Sequence, residues 1–154
     1  MKRFLSCFLI IVLLLLLVSC SKGAKQSEST TESAAVSEKT VTGNTVDLTK
    51  ISSTLVYTEL YNMMTGPDKY DGKTVIMKGT YKIYEGGGRN YHVCEVMDAT
   101  ACCTQGLEFV LKDGEEYPEF DEKSPKEIEI SGTFKEYDDN GQNNFRLENA
   151  EIVA

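Results

Sequence analysis

Hydrophobic residues along this 154-residue chain fall into three regimes. Positions 8–18, FLIIVLLLLLV, are unbroken apolar. Positions 21–47 are mainly Ser, Thr, Glu, Lys and Ala, with no aromatic and few aliphatics. From about Thr49 onward, apolar and polar residues interleave with regular periods. Val56, Leu60, Met63 and Met64 recur at helical spacing and predict a helix over 53–64. Ser52 or Ser53 can cap its start, and Gly66-Pro67 ends it. After the Asp71-Gly72 turn, KTVIMKGTYKIY predicts a long strand over 73–84. Val75, Met77, Tyr81 and Ile83 share one face of it, and Lys78 and Lys82 share the other. Further strands are expected over 90–97, 106–112, 126–137 and 144–153. Gly86-Gly87-Gly88 and Asp138-Asp139-Asn140-Gly141 supply hairpin connections.

One segment echoes another. KTVIMKGTYKIYEGG, from Lys73, matches KEIEISGTFKEYDDNG, from Lys126. Each has alternating apolar residues, then Gly-Thr-aromatic-Lys, then a tyrosine and a turn. A glycine midway along a strand marks a bend or bulge. Two long strands bent in this way suit a small closed barrel, and curvature common to both explains the echo without duplication. Five strands in this order resemble the OB-fold, a partly open five-stranded Greek-key barrel. The expected fold is therefore mainly β: a small five-stranded OB-like barrel over 49–154 with one N-terminal helix. The helix usual between the third and fourth barrel strands is expected to be reduced to the loop DGEEYPEFDEKSP. The run DATACCTQGLEF, with the later SGTFKEY, is similar to exported bacterial lipoproteins with OB-like domains, over most of residues 55–153. That resemblance implies the fold and the location and carries no activity.

The N-terminal regime sets the expected address. Lys2 and Arg3 precede the apolar run, which is shorter than the ~20 residues a spanning helix needs, and Leu17-Val18-Ser19-Cys20 follows. This is the layout of a signal peptide, and its ending resembles the lipobox of bacterial lipoproteins. The resemblance implies cleavage after Ser19 and a diacylglycerol on Cys20. An uncleaved anchor would not need Cys20. Residues 1–19 are thus expected to be signal peptide, and residues 20–48 a lipidated cysteine with a flexible tether. About 27 residues of such chain span roughly 30 Å. Two acyl chains hold a protein stably on a membrane, so the domain is expected on the extracytoplasmic face of a bacterial cell membrane. Setting aside Lys2 and Arg3 leaves fourteen basic residues against twenty-four acidic, a formal charge of −10. That balance disfavours nucleic acid, whose binding needs cations against phosphate.

Candidate chemistry concentrates in HVCEVMDATACC. It holds the only histidine, His92, and three of the five cysteines: Cys94, Cys102 and Cys103. An imidazole and three thiolates could hold tetrahedral zinc or a soft copper ion. Adjacent cysteines in extended backbone point to opposite faces, so Cys102 and Cys103 can both ligate only if the chain turns there. The alternative is a structural disulfide from Cys94 to Cys102 or Cys103, which an exported protein permits. A Cys102–Cys103 bridge is less favourable, because adjacent Cα atoms lie ~3.8 Å apart where disulfides span about 4.4–6.8 Å. A nucleophile–base pair of Cys102 or Cys103 with His92, oriented by Asp98, lacks evident oxyanion donors. Gly86-Gly87-Gly88 is not followed by the Gly-Lys-Ser/Thr of a phosphate loop. The expectation is a binding or accessory module rather than an enzyme, with zinc or copper as candidate ligand. Its rival is a protein-interaction module of an envelope complex that uses a disulfide and no metal.

Overall fold

The computed structural model describes residues 41–153. The expected signal peptide, the expected lipid site at Cys20 and most of the expected tether lie outside the described residues. Among the described residues the protein is mainly β, with a seven-stranded mixed sheet and one α-helix. The strands are β1 (Val41–Thr42), β2 (Thr45–Asp47), β3 (Thr74–Gly86), β4 (Arg89–Met97), β5 (Thr104–Leu111), β6 (Glu127–Asp139) and β7 (Gln142–Ile152), and α1 is Ser53–Thr65. The helix and the five long strands sit where the periodicity puts them.

β3 changes partners halfway along. Thr74–Thr80 pairs antiparallel with β6, and Thr80–Gly86 pairs antiparallel with β4. β4 continues to β5, β5 runs parallel to β7, and β7 returns antiparallel to β6. The five strands therefore form a ring in the order β3–β4–β5–β7–β6. Gly79 stands at the changeover. A Cβ there would lie 2.5 Å from the Glu95 carbonyl oxygen and 3.0 Å from Cys94 Sγ. Only hydrogen fits, and the close approach lets one strand serve two neighbours. Gly132 does the same on β6, where an added Cβ would lie 2.9 Å from Leu147 Cβ, beside the register shift between Ser131 and Thr133.

The echoing segments are ring neighbours. Met77 pairs with Ile130, Val75 with Gly132, and Gly79 with Ile128. The two strands are thus related by a local two-fold at the Met77–Ile130 pair, and each glycine faces the other strand's branched aliphatic. The alternation predicted for both strands holds: Val75, Met77, Tyr81, Ile128, Ile130 and Phe134 are all buried.

α1 packs against β4 and β5. Ser52 occupies the cap position, but its carbonyl, not its hydroxyl, receives the amides of Leu55 and Val56, both at 2.9 Å. Gly66 ends the helix by donating to the Asn62 carbonyl at 2.9 Å. Val56, Leu60 and Met63 are buried as expected, whereas Met64 is only half-buried. Glu59 is also fully buried. Its carboxylate accepts from Tyr70 Oη at 2.8 Å and from Asn62 Nδ2 at 3.2 Å, which offsets the loss of water.

The boundary expected at residue 48 is corrected here. β1 and β2 fall inside the stretch 20–48 read as tether. β2 lies parallel to the start of β3, with Val46 opposite Val75. Val46 and Leu48 are each at most 1 % exposed. Two apolar residues in a polar stretch are too few to show periodicity, yet they find a site on an open length of β3.

Two measurements test this account. Leu48→Ala in the full chain is expected to cost about 2–5 kcal/mol by urea unfolding, the usual range for a buried leucine; a tether residue would cost nothing. Gly79→Ala is expected to destabilise by about 1–3 kcal/mol or more, because its Cβ meets backbone that must move. Gly43→Ala has open space around it and pays only the roughly 1–2 kcal/mol of a left-handed alanine.

Candidate metal centre

The last pair of the β4–β5 hairpin is Met97 with Thr104. Between them residues 98–103 form a turn organised by one side chain. Asp98 Oδ1 accepts from the amides of Thr100 at 3.2 Å, Cys102 at 3.0 Å and Cys103 at 3.5 Å. The Asp98 amide donates to the Cys103 carbonyl at 2.9 Å, and the Ala101 amide to the Asp98 carbonyl at 3.1 Å. Ala101 adopts φ +54°, a left-handed conformation. The turn brings both adjacent thiols to the aspartate's side. Cys102 Sγ lies 3.6 Å from Cys103 Sγ and donates to Asp98 Oδ2 at 3.3 Å. Thr100 Oγ1 lies 2.9 Å from Cys102 Sγ and 3.0 Å from Asp98 Oδ2, and its one proton serves one of them at a time. One carboxylate oxygen and two sulfurs thus lie within 4.8 Å of one another, with both cysteines exposed.

The turn crowds three acidic groups together. Partial burial pushes the Asp98 carboxyl up, but the hydrogen bonds from Thr100 and Cys102 together outweigh it and hold it below the usual range. The Cys103 thiol is pushed up, first by its hydrogen bond with Cys102, then by the charges of Cys102 and Asp98. Crowded acidic groups resist ionising together, and a bound cation removes that resistance.

The other two expected ligands are elsewhere. His92 and Cys94 do share a face of β4, as their spacing requires, but that face is the interior. Cys94 is fully buried beneath Gly79, and burial lifts its thiol to about 12. His92 stacks on Tyr117, with ring centroids 3.6 Å apart, and meets Tyr81 Oη through Nδ1 at 2.7 Å. Burial, with a smaller contribution from Tyr117, holds the Tyr81 phenol near 12. Tyr81 therefore keeps its proton, and His92 Nδ1 is already engaged by this hydrogen bond. The four-residue set His92, Cys94, Cys102 and Cys103 is not assembled. Two of its members join Asp98, which the sequence had suggested only as a partner for His92. The readable signal was Asp-x-Thr at a hairpin tip, where aspartate bonds the amide two residues on. A Cys94 disulfide is not formed either; all three thiols are free.

A second polar constellation escaped the sequence reading. Arg89 donates to Glu108 Oε1 and Tyr137 Oη, both at 2.8 Å, and to Asp139 Oδ2 at 3.1 Å. Its guanidinium lies 3.8 Å over the Tyr91 ring. Tyr91 Oη donates to Asp139 at 2.7 Å, and Tyr137 Oη donates to Glu108 Oε2. These bonds tie β4, β5 and β6 together around a shallow depression of about 340 Å³. Its charged groups are engaged with one another, so it acts as a clasp across three strands.

Comparison with protein-family models, curated proteins and solved structures gives no match to this chain.

His92, half-buried against Tyr81 and Tyr117, sets a pH dependence. Burial lowers the His92 pKa below 6.5, and the Glu108 charge opposes this only in part. The unfolded chain therefore binds the proton first, so stability is complete above about pH 6.5 and falls as pH drops below it. His92 is the only histidine. The thermal midpoint is expected to fall between pH 7 and 5.5, and His92→Gln is expected to flatten that slope. Equal slopes for both proteins would refute the assignment.

Proposed function

We propose that this protein is a lipid-anchored extracytoplasmic module that binds a thiophilic metal ion, zinc or monovalent copper, through Asp98, Cys102 and Cys103. The observation that carries the reading is the convergence of two thiols and a carboxylate oxygen on one side of a preformed turn. Thiolates select zinc and monovalent copper over hard cations such as magnesium and calcium. The Thr100 hydroxyl serves as an outer partner that orients a ligand sulfur. Within this reading Cys20 carries the diacylglycerol and the tether ends near residue 40.

The scaffold in this proposal is an OB-like barrel. Its support is the ring order β3–β4–β5–β7–β6, with β5 and β7 parallel and β3 shared between β4 and β6. The loop 112–126 stands where such barrels carry a helix, pinned by Tyr117 on His92 and by Phe120 against Tyr81. The role is that of a binding module rather than an enzyme.

Native mass spectrometry of the full chain, purified anaerobically, tests the metal. One zinc or copper(I) per chain, lost on denaturation, is expected. Cys102→Ser and Cys103→Ser are each expected to weaken binding at least tenfold, while Cys94→Ala leaves it unchanged. Free thiols without metal, or a mass two hydrogens short from a Cys102–Cys103 bridge, would overturn the reading and leave the protein-interaction role standing.

A further inference from the structure

We infer that the turn is a metal-exchange site, which takes an ion from, or passes it to, a thiol-bearing protein partner instead of keeping it as a structural ion. The inference rests on the metal-binding reading above and deepens it.

Three features of the turn support exchange. The first is that the turn has hydrogen bonds of its own that close it. Asp98 Oδ1 is engaged by the amides of Thr100, Cys102 and Cys103, and the Asp98 amide closes the loop on the Cys103 carbonyl. A structural zinc site usually folds only around its ion, so its binding energy is folding energy. Here the turn's own hydrogen bonds would hold the hairpin when the ion leaves. The second is a division of labour within one carboxylate. Oδ1 maintains the turn, while Oδ2 meets only the Thr100 hydroxyl at 3.0 Å and the Cys102 thiol at 3.3 Å. The hydroxyl can rotate away, and the thiol can give up its proton, when a cation arrives. The third is incomplete enclosure. The chain supplies three donors, both cysteines are exposed, and His92 and Cys94 are committed to the interior. A closed structural zinc site takes four protein ligands. A three-donor site at a hairpin tip leaves a coordination position facing outward, where an incoming thiolate can enter before a resident one leaves.

The exchange step balances without any redox change. An incoming thiol gives its proton to solvent and its sulfur forms a bond to the ion. The bond from the ion to Cys102 Sγ or Cys103 Sγ then breaks. The freed thiolate takes a proton from solvent, and the ion keeps its oxidation state. The Thr100 hydroxyl, 2.9 Å from Cys102 Sγ, is placed to stabilise that departing thiolate.

The test is transfer kinetics on the full chain loaded with zinc, using a synthetic dithiol peptide as acceptor. The expected result is a transfer rate that rises in proportion to peptide concentration, with the same far-ultraviolet circular dichroism before and after loading. Hydrogen exchange at the amides of Cys102 and Cys103 is expected to stay protected in the metal-free protein. A rate independent of peptide concentration would overturn the inference, since it would mean that the ion must leave a closed site before transfer. Loss of that protection without metal would overturn it too. Stoichiometric loading is measured first: loading with concentration-independent transfer sinks this inference alone, and failure to load sinks the metal reading with it.

Discussion

The ring depends on one strand serving two neighbours. β3 meets β6 with its first half and β4 with its second, and at Gly79 the Glu95 carbonyl leaves no room for a side chain. Without that contact β3 would run straight past one partner and the sheet would stay open. The interior that receives Tyr81, Phe109 and Phe134 exists because the sheet curls around them. Gly132, related to Gly79 by the local two-fold, bends the facing strand to match. The resemblance between the two segments is thus the imprint of a shared geometric demand.

Polar groups divide between holding the ring and offering chemistry. The Arg89 clasp joins three strands at one place, and the Tyr81–His92–Tyr117 stack fastens the long acidic loop over the core. Both are satisfied internally and would lose much by taking on a ligand. The 98–103 turn differs. Three of its amides converge on a single carboxylate oxygen, its cysteines are exposed, and the core packs without it. The turn is thus set apart from the packing of the interior.

The sequence disclosed what depends on period. Alternation at Val75, Met77 and Tyr81, and at Ile128, Ile130 and Phe134, located the central strands and their inward faces, and the stripe Val56, Leu60, Met63 located the helix. It hid what depends on distant partners. Val46 and Leu48 look like tether because the strand that covers them begins at Thr74. Glu59 looks like a solvent-facing residue because its donor, Tyr70, lies beyond the helix end. In HVCEVMDATACC the spacing suggested one four-residue set, but the structure brings only Cys102 and Cys103 together, beside Asp98. The two-residue spacing rightly put His92 and Cys94 on one face and could not say that the face was interior. Nothing about an alanine at position 101 announces the left-handed turn that aligns the thiols.

The split pairing of β3 also bears on the order in which the protein can assemble. Its second half finds β4 at once, across a two-residue connection. Its first half must wait for residues 127–133, which lie beyond β4, β5 and the acidic loop. Closure over that length carries an entropic cost before any contact rewards it, and chains dominated by such distant pairings fold on the order of milliseconds to seconds. The other border of Thr74–Ile76 is covered by β2, which precedes it in the chain. The short N-terminal strand thus occupies an edge of β3 that would otherwise be open to neighbouring chains.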